Sequence, residues 1–164
     1  MTTRALVLSD THVPDFARTL PPALLRELPR ADLILHAGDV TSVGLLEELA
    51  RDAPVHVALG NNDGDDVAAW GAEHEVRLAI EGLGIVMLHD SGPASGRTGR
   101  LRRRFPDMDV IVFGHSHIPI NESADGLRFL NPGSPTWKRR QPRPTYAWLT
   151  VSRRRAWTTI VELG

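Results

Sequence analysis

The sequence predicts an α/β fold of two β-sheets packed together with helices outside. Three observations carry this expectation: apolar runs alternating with helix-like stretches in the first half, a polar cluster at the end of each early run, and alternating apolar segments spaced by turn residues in the second half. A chain of 164 residues has the size of one ordinary domain. It carries no internal repeat, low-complexity tract or linker, so residues 1–164 are read as a single domain.

The first strand is expected over 5–8, a helical stretch over 20–29, a strand over 33–35, a helix over 42–51 and a strand over 55–59. Strands separated by helices imply parallel βαβ units, and in such sheets ligands bind beyond the carboxyl ends of the strands. Those ends read Ser9-Asp10-Thr11-His12, His36-Ala37-Gly38-Asp39 and Gly60-Asn61-Asn62-Asp63. The second half offers segments at 75–80, 85–89, 110–113, 127–130, 146–151 and 157–161, divided by Gly, Pro, Asp or Arg turns, which suggests mostly antiparallel strands. One helix is expected around 97–105, where Leu101 and Phe105 stand at i, i+4 beside arginines.

Hydrophobic residues at 41% and charged residues at 24% match a globular chain. Arginines gather at 102–104, at 139, 140 and 143, and at 153–155, but the net charge of -1 is not that of a nucleic-acid binder, and these runs are read as solvated faces. Nucleic acid is therefore not an expected partner. Without cysteine, thiolate ligands, disulfides and a cysteine nucleophile are excluded. The apolar segment at 5–8 is too short for a signal-peptide core, and no run approaches the ~20 residues of a membrane helix, so a cytoplasmic location is expected.

Five stretches place metal-ligating side chains at strand ends: Asp10 with His12, Asp39, Asn61, His89, and His115 with His117. Seven donors are too many for one ion. Nitrogen and oxygen without sulfur suit Mn, Fe, Zn or a similar first-row ion, and a carboxylate such as Asp39 can bridge two ions, so a dinuclear site is expected. Asp10 and His12, two residues apart in an extended segment, can reach one ion together. His115 and His117 share that spacing, but a turn after Gly114 could send them to different ions. Glycines before Asp39, Asn61 and His115 permit tight turns and close approach of a ligand.

Asp10-Thr11-His12, Gly38-Asp39, Gly60-Asn61-Asn62-Asp63, His89 and Gly114-His115-Ser116-His117 resemble, in order and spacing, the five motif blocks of the calcineurin-like metallophosphoesterases. The resemblance covers nearly the whole chain and is nearest to the small single-domain bacterial and archaeal phosphodiesterases, which also tend to carry a segment like Asn131-Pro132-Gly133-Ser134. It implies a four-layer α/β/β/α sandwich, and two divalent ions, Mn first with Fe, Zn, Ni or Co as alternatives. Asp10, His12 and His117 would hold the first ion, Asn61, His89 and His115 the second, and Asp39 would bridge them. It further implies a small phosphoester substrate and, by family habit, a homodimer.

The expected activity is hydrolysis of a small phosphodiester. Two ions lower the pKa of a shared water and neutralise phosphate oxygens, so no protein nucleophile is required. Many relatives have a proton-donating histidine where this chain has Asn62, which leaves the general acid unassigned; Asn61 or Asn62 could hydrogen-bond the phosphate. Asp90 stands where glycine is frequent and is expected at the pocket rim. His36 and Asn62 could each orient a ligand or contact phosphate. A phosphomonoesterase, a nuclease and a non-catalytic protein-binding scaffold are the competing readings, and the complete ligand set argues against the last.

Taken singly, each block is an ordinary turn or core feature; jointly, in this order, they are not. His56 and His74 match no motif and are read as structural or surface residues. Trp70, Trp137, Trp148 and Trp157 are read as core or interface aromatics, since nothing in the sequence places them on one face with the arginines.

Overall fold

The computed structural model describes residues Met1–Gly164. The chain runs β1 (Thr2–Leu8), α1 (Pro22–Leu25), β2 (Leu33–His36), α2 (Val43–Leu49), β3 (Val55–Val57), α3 (Asp65–Trp70), β4 (Glu75–Ile80), β5 (Leu83–Leu88), α4 (Arg97–Arg104), β6 (Val110–Val112), β7 (Ile120–Ala124), β8 (Leu127–Asn131), β9 (Thr145–Ser152) and β10 (Arg155–Glu162). One five-stranded sheet has the order β10-β9-β1-β2-β3 and the other β4-β5-β6-β8-β7.

Strand alternation decides which side chain enters which layer. In β1, Leu6 and Leu8 face a cluster that includes Leu24 of α1, Leu45, Leu46 and Leu49 of α2 and Val67 of α3. Ala5 and Val7 point to the opposite face and meet Ile85, Met87, Val110 and Val112 of the second sheet. In β5, Val86 and Leu88 turn away from that interface toward Leu101 of α4 and Phe105 just after it. Three clusters therefore separate four layers, helices, sheet, sheet and helix, as the resemblance implied. Each fully buried aliphatic side chain contributes about 1.5–3 kcal/mol.

Local chemistry explains the helix lengths. The expected stretch over 20–29 splits into α1 and a 3-10 turn at Leu28–Arg30, because Pro21 and Pro22 set the start and Pro29 interrupts the run. α2 begins at Ser42, whose hydroxyl accepts the Leu45 N–H at 3.3 Å. In α4, Leu101 and the following Phe105 are buried, as their spacing predicted.

Three features differ from expectation. The two halves of the chain do not each form a sheet: β9 pairs antiparallel with β1 and carries β10 into the first sheet. β6 runs parallel to both β5 and β8, so the second sheet is mixed. β7 and α3 have too few buried apolar residues to show a period; β7 is an edge strand of INESA, and α3 buries only Val67. No helix is long and apolar enough to cross a membrane.

Candidate metal centre

All seven candidate ligands lie beyond the carboxyl ends of five strands: Asp10 and His12 after β1, Asp39 after β2, Asn61 after β3, His89 after β5, and His115 and His117 after β6. Parallel pairing of β1 with β2 and β2 with β3 aligns three of these ends in one sheet, and parallel pairing of β5 with β6 aligns the other two. Sheet packing brings the two sets together.

The backbone reaches these positions by sharp turns. Asp10, His12, Asp39, His115 and His117 all have positive φ, from 45° to 69°. Such angles are uncommon for residues other than glycine, and concentrations of them mark sites where surrounding structure holds the chain in place. Asp10 and His12 therefore share a side through two left-handed turns, not through the extended segment their spacing suggested. Three glycines allow the close approach: a Cβ on Gly38 would collide with His89 Nδ1 and the Gly60 backbone N, one on Gly60 with the backbone N and Oδ1 of Asp39, and one on Gly114 with Ser9 Oγ and Asp10 Oδ2.

Asp10, His12 and His117 form one buried group. His117 Nε2 lies 3.4 Å and His12 Nε2 4.0 Å from Asp10 Oδ1. Asp10 Oδ2 is already used, accepting from Ser9 Oγ at 2.7 Å and the His115 N–H at 3.0 Å. Asp10 Oδ1, His12 Nε2 and His117 Nε2 are buried with no hydrogen-bond partner. Three converging lone-pair atoms, each costly to bury unpaired, fit a cation between them.

Asp39 reaches toward both sides, its Oδ2 lying 3.6 Å from His12 Nε2 and 3.4 Å from His89 Nε2. Asn61 Oδ1 lies 3.0 Å from His89 Nε2 and 3.1 Å from His115 Nδ1. His115 and His117 thus separate, one to each side. Asn61 and His115 are exposed, so this side opens to solvent. A recess of about 380 Å³ adjoins it, lined by residues including Asn61, His74, His89, Asp90, Arg104 and His115. His74 is a surface residue on the rim, and Asp90 occupies the rim as expected.

Tautomers follow from the partners. His89 Nδ1 gives its N–H to the Ala37 carbonyl at 2.7 Å, and His117 Nδ1 gives its own to the Trp137 carbonyl at 2.6 Å. In the neutral ring each leaves Nε2 as the lone-pair nitrogen, the arrangement that orients metal-ligating histidines. His36 is fully buried; its Nδ1 accepts the Gly38 N–H at 3.2 Å, so Nε2–H donates to Thr11 Oγ1 at 2.9 Å. It ties the β1 and β2 loops together and has no access to a phosphate. Burial holds its imidazole down at about 4, against the pull of Asp10 and Asp39.

Charge is concentrated on the carboxylates. Burial pushes Asp10 and Asp39 up, but His117, His89 and Ser9 around the first and His89 and Asn62 around the second outweigh it, and both lie below the usual range. Burial pulls His89 down, yet the hydrogen bond to Asp39 and the charges of Asp10 and Asp39 raise it to about 8. His12 is lowered, chiefly by burial, with His117 and Arg139 adding to the effect against Asp39 and Asp10.

Asn62 touches the Asp39 carboxylate. Its Nδ2 donates to Asp39 Oδ2 and its backbone N–H to Asp39 Oδ1, both at 2.8 Å, so the amide holds the carboxylate. Several braces were not assigned from the sequence. Asp63 accepts the N–H groups of Asp39, Thr41 and Gly60. Ser134 Oγ donates to the Asp10 carbonyl at 2.8 Å, and Asn131 Nδ2 donates to the Gly114 carbonyl at 3.1 Å, which puts the Asn131–Ser134 turn against the centre. The Trp137 ring packs edge-on against His12 and His117 at 5.2 and 5.4 Å. Asp63 was visible in its motif block; Trp137 carried no sequence signal.

Residues 4–154 match the calcineurin-like phosphoesterase superfamily domain. A protein of Methanothermobacter thermautotrophicus, described as a probable metallophosphoesterase, is 37% identical over 134 residues, 79% of this chain and 76% of its own. Two solved structures share the fold. Vacuolar protein sorting 29 from Cryptosporidium parvum has TM-score 0.77 and 22% identity, with 99% of this chain and 98% of that one covered. A structure described as a novel archaeal phosphodiesterase has TM-score 0.73 and 19% identity, covering 96% and 99%. With its motif blocks gathered at one centre and nearly its whole length matched, the chain belongs to the calcineurin-like phosphoesterase superfamily, a family of metal-dependent phosphoesterases.

Proposed function

We propose that this chain is a phosphodiesterase with a dinuclear metal centre, its residues 1–164 acting as one domain. The observation that carries the proposal is the convergence of Asp10 Oδ1, His12 Nε2 and His117 Nε2, buried and unpaired, beside a second donor set on Asn61, His89 and His115. In this reading Asp10, His12 and His117 hold one divalent ion, Asn61, His89 and His115 a second, and Asp39 stands between them. Manganese is the first candidate, on the chemistry of a nitrogen and oxygen donor set. Divalent ions held there supply Lewis-acid polarisation of the phosphoryl group and acidify water for attack.

The chain's own residues do the rest. Ala37 and Trp137 carbonyls hold the His89 and His117 rings with Nε2 turned inward. Asn62 fixes the Asp39 carboxylate through two hydrogen bonds, so substrate phosphate is left to the exposed Asn61–His115 side. No imidazole occupies position 62 to protonate a leaving alkoxide, and diesters with acidic leaving groups are the expected good substrates. The diester assignment draws support from the archaeal phosphodiesterase of the same fold.

The test is turnover of bis(4-nitrophenyl) phosphate against 4-nitrophenyl phosphate, with Mn, Fe, Zn, Ni or Co at saturation. A kcat/KM higher for the diester supports the proposal. No turnover of either ester by protein shown to be metal-loaded would reject it in favour of a non-catalytic scaffold.

A further inference from the structure

Four large apolar side chains are left exposed: Met1, Phe16, Ile118 and Trp157. Two of them flank Trp137. Phe16 stacks on its ring at 4.7 Å with planes 8° apart, and Ile118 lines a recess of about 370 Å³ with Ser116, Trp137, Arg139, Arg140 and Gln141. The Arg139 guanidinium lies 5.0 Å from the Trp137 centroid. Nothing in the sequence places a tryptophan beside the arginines; the fold sets Trp137 beside Arg139.

The surface continues directly from the centre, since the same Trp137 ring packs on His12 and His117 and its carbonyl holds His117. Two of its cations, Arg139 and Arg140, form no ion pair, whereas Arg143 pairs with Glu162 at 3.7 Å and Lys138 donates to the Gln141 carbonyl. Flat aromatic surface suits the face of a planar ring, and free guanidinium groups suit the negative charge attached to it. The volume falls at the lower end of small-molecule pockets, which run from about 300 to 1,000 Å³.

We propose that the recess formed by Trp137, Ile118, Arg139 and Arg140 is a subsite for the planar aromatic ring, nucleobase or aryl, of the phosphodiester processed at the adjoining centre. The proposal rests on the phosphodiesterase reading for its substrate, while the subsite is tested by binding alone. In this subsite Ile118 and Trp137 supply apolar surface for the ring, and Arg139 and Arg140 supply positive charge.

The experiment is calorimetric binding of three phosphomonoesters to the Mn-supplemented protein: thymidine 5′-monophosphate, phenyl phosphate and methyl phosphate. Both aromatic esters are expected to bind about tenfold or more tightly than methyl phosphate, as one stacked ring contributes. Tighter binding of the thymidine ester than of the phenyl ester identifies a nucleoside substrate; equal binding identifies an aryl group. The preference is expected to collapse toward unity in Trp137→Leu and to shrink in Arg139→Ala, which alters no packing of the core. Binding of all three within twofold, or a preference that survives Trp137→Leu in folded protein, overturns the subsite and leaves the patch to a macromolecular partner. Ring preference without turnover of any phosphodiester would sink the hydrolytic reading alone, and turnover without ring preference would sink the subsite alone.

Discussion

The carboxylate of Asp63 accepts the backbone N–H of Asp39 at 2.9 Å, joining the loop after β3 to the loop after β2. The same carboxylate takes the N–H of Gly60 and of Thr41, each at 2.8 Å. Burial raises its carboxyl above the usual range while those three donors pull it down. Asp63 is thus a clamp behind Asp39 and Asn61.

Asp63→Asn retains one oxygen and puts an amide against an N–H. The loss is expected to cost about 1–3 kcal/mol of stability, read as a lower urea midpoint at unchanged slope. Affinity for divalent metal is expected to fall about 10–100-fold, the effect typical of outer-shell partners, read by calorimetric titration. Unaltered metal affinity would show that the clamp serves stability alone.

Asp39→Asn keeps the side-chain shape and removes the charge that lies between His12 and His89. Turnover is expected to fall by more than about 100-fold, in the range seen when electrostatic stabilisation of a transition state is lost, with the circular dichroism spectrum unchanged. Activity near the wild-type level would remove Asp39 from the mechanism.

Gly114→Ala sets a Cβ against Ser9 Oγ and 2.7 Å from Asp10 Oδ2. The collision is expected to cost about 1–3 kcal/mol and to weaken metal binding by displacing Asp10. A Cβ added at Gly44 in α2 would meet nothing within 4 Å, so Gly44→Ala is expected to raise stability by about 0.5–1 kcal/mol. Thermal unfolding of the pair separates the steric effect from helix propensity.

His89, raised from 6.5 to about 8, makes the centre pH-sensitive. In metal-free protein the proton on His89 stabilises the fold; that contribution is fully present below pH 6.5 and is lost as pH rises through about 8. Metal must displace this proton, so apparent affinity is expected to rise with pH and to level off above about 8. Near pH 7, calorimetry in buffers of different ionisation enthalpy is expected to report about one proton released per chain as the His89 side fills, and His89→Gln to release fewer.

The donor set and its placement at strand ends were legible because each signal is local. An aspartate two residues from a histidine, a glycine before a ligand and an apolar run before both need only a few neighbouring residues to be recognised. β4, expected over 75–80, and α4, expected around 97–105, were legible for the same reason. β7 was not, since an edge strand with exposed positions carries no alternation.

Chain chemistry alone determined that any donors here are nitrogen and oxygen, without thiolate, and that α/β units present the candidate donors at strand ends. Folding alone settled that β9 returns across more than a hundred residues to pair with β1, that His115 and His117 part to opposite sides, that Asn62 spends its amide on Asp39, and that Trp137 stands beside Arg139 at the centre. Such relations depend on which distant surfaces bury the most apolar area together, a quantity of the whole packed molecule that no short stretch of residues encodes.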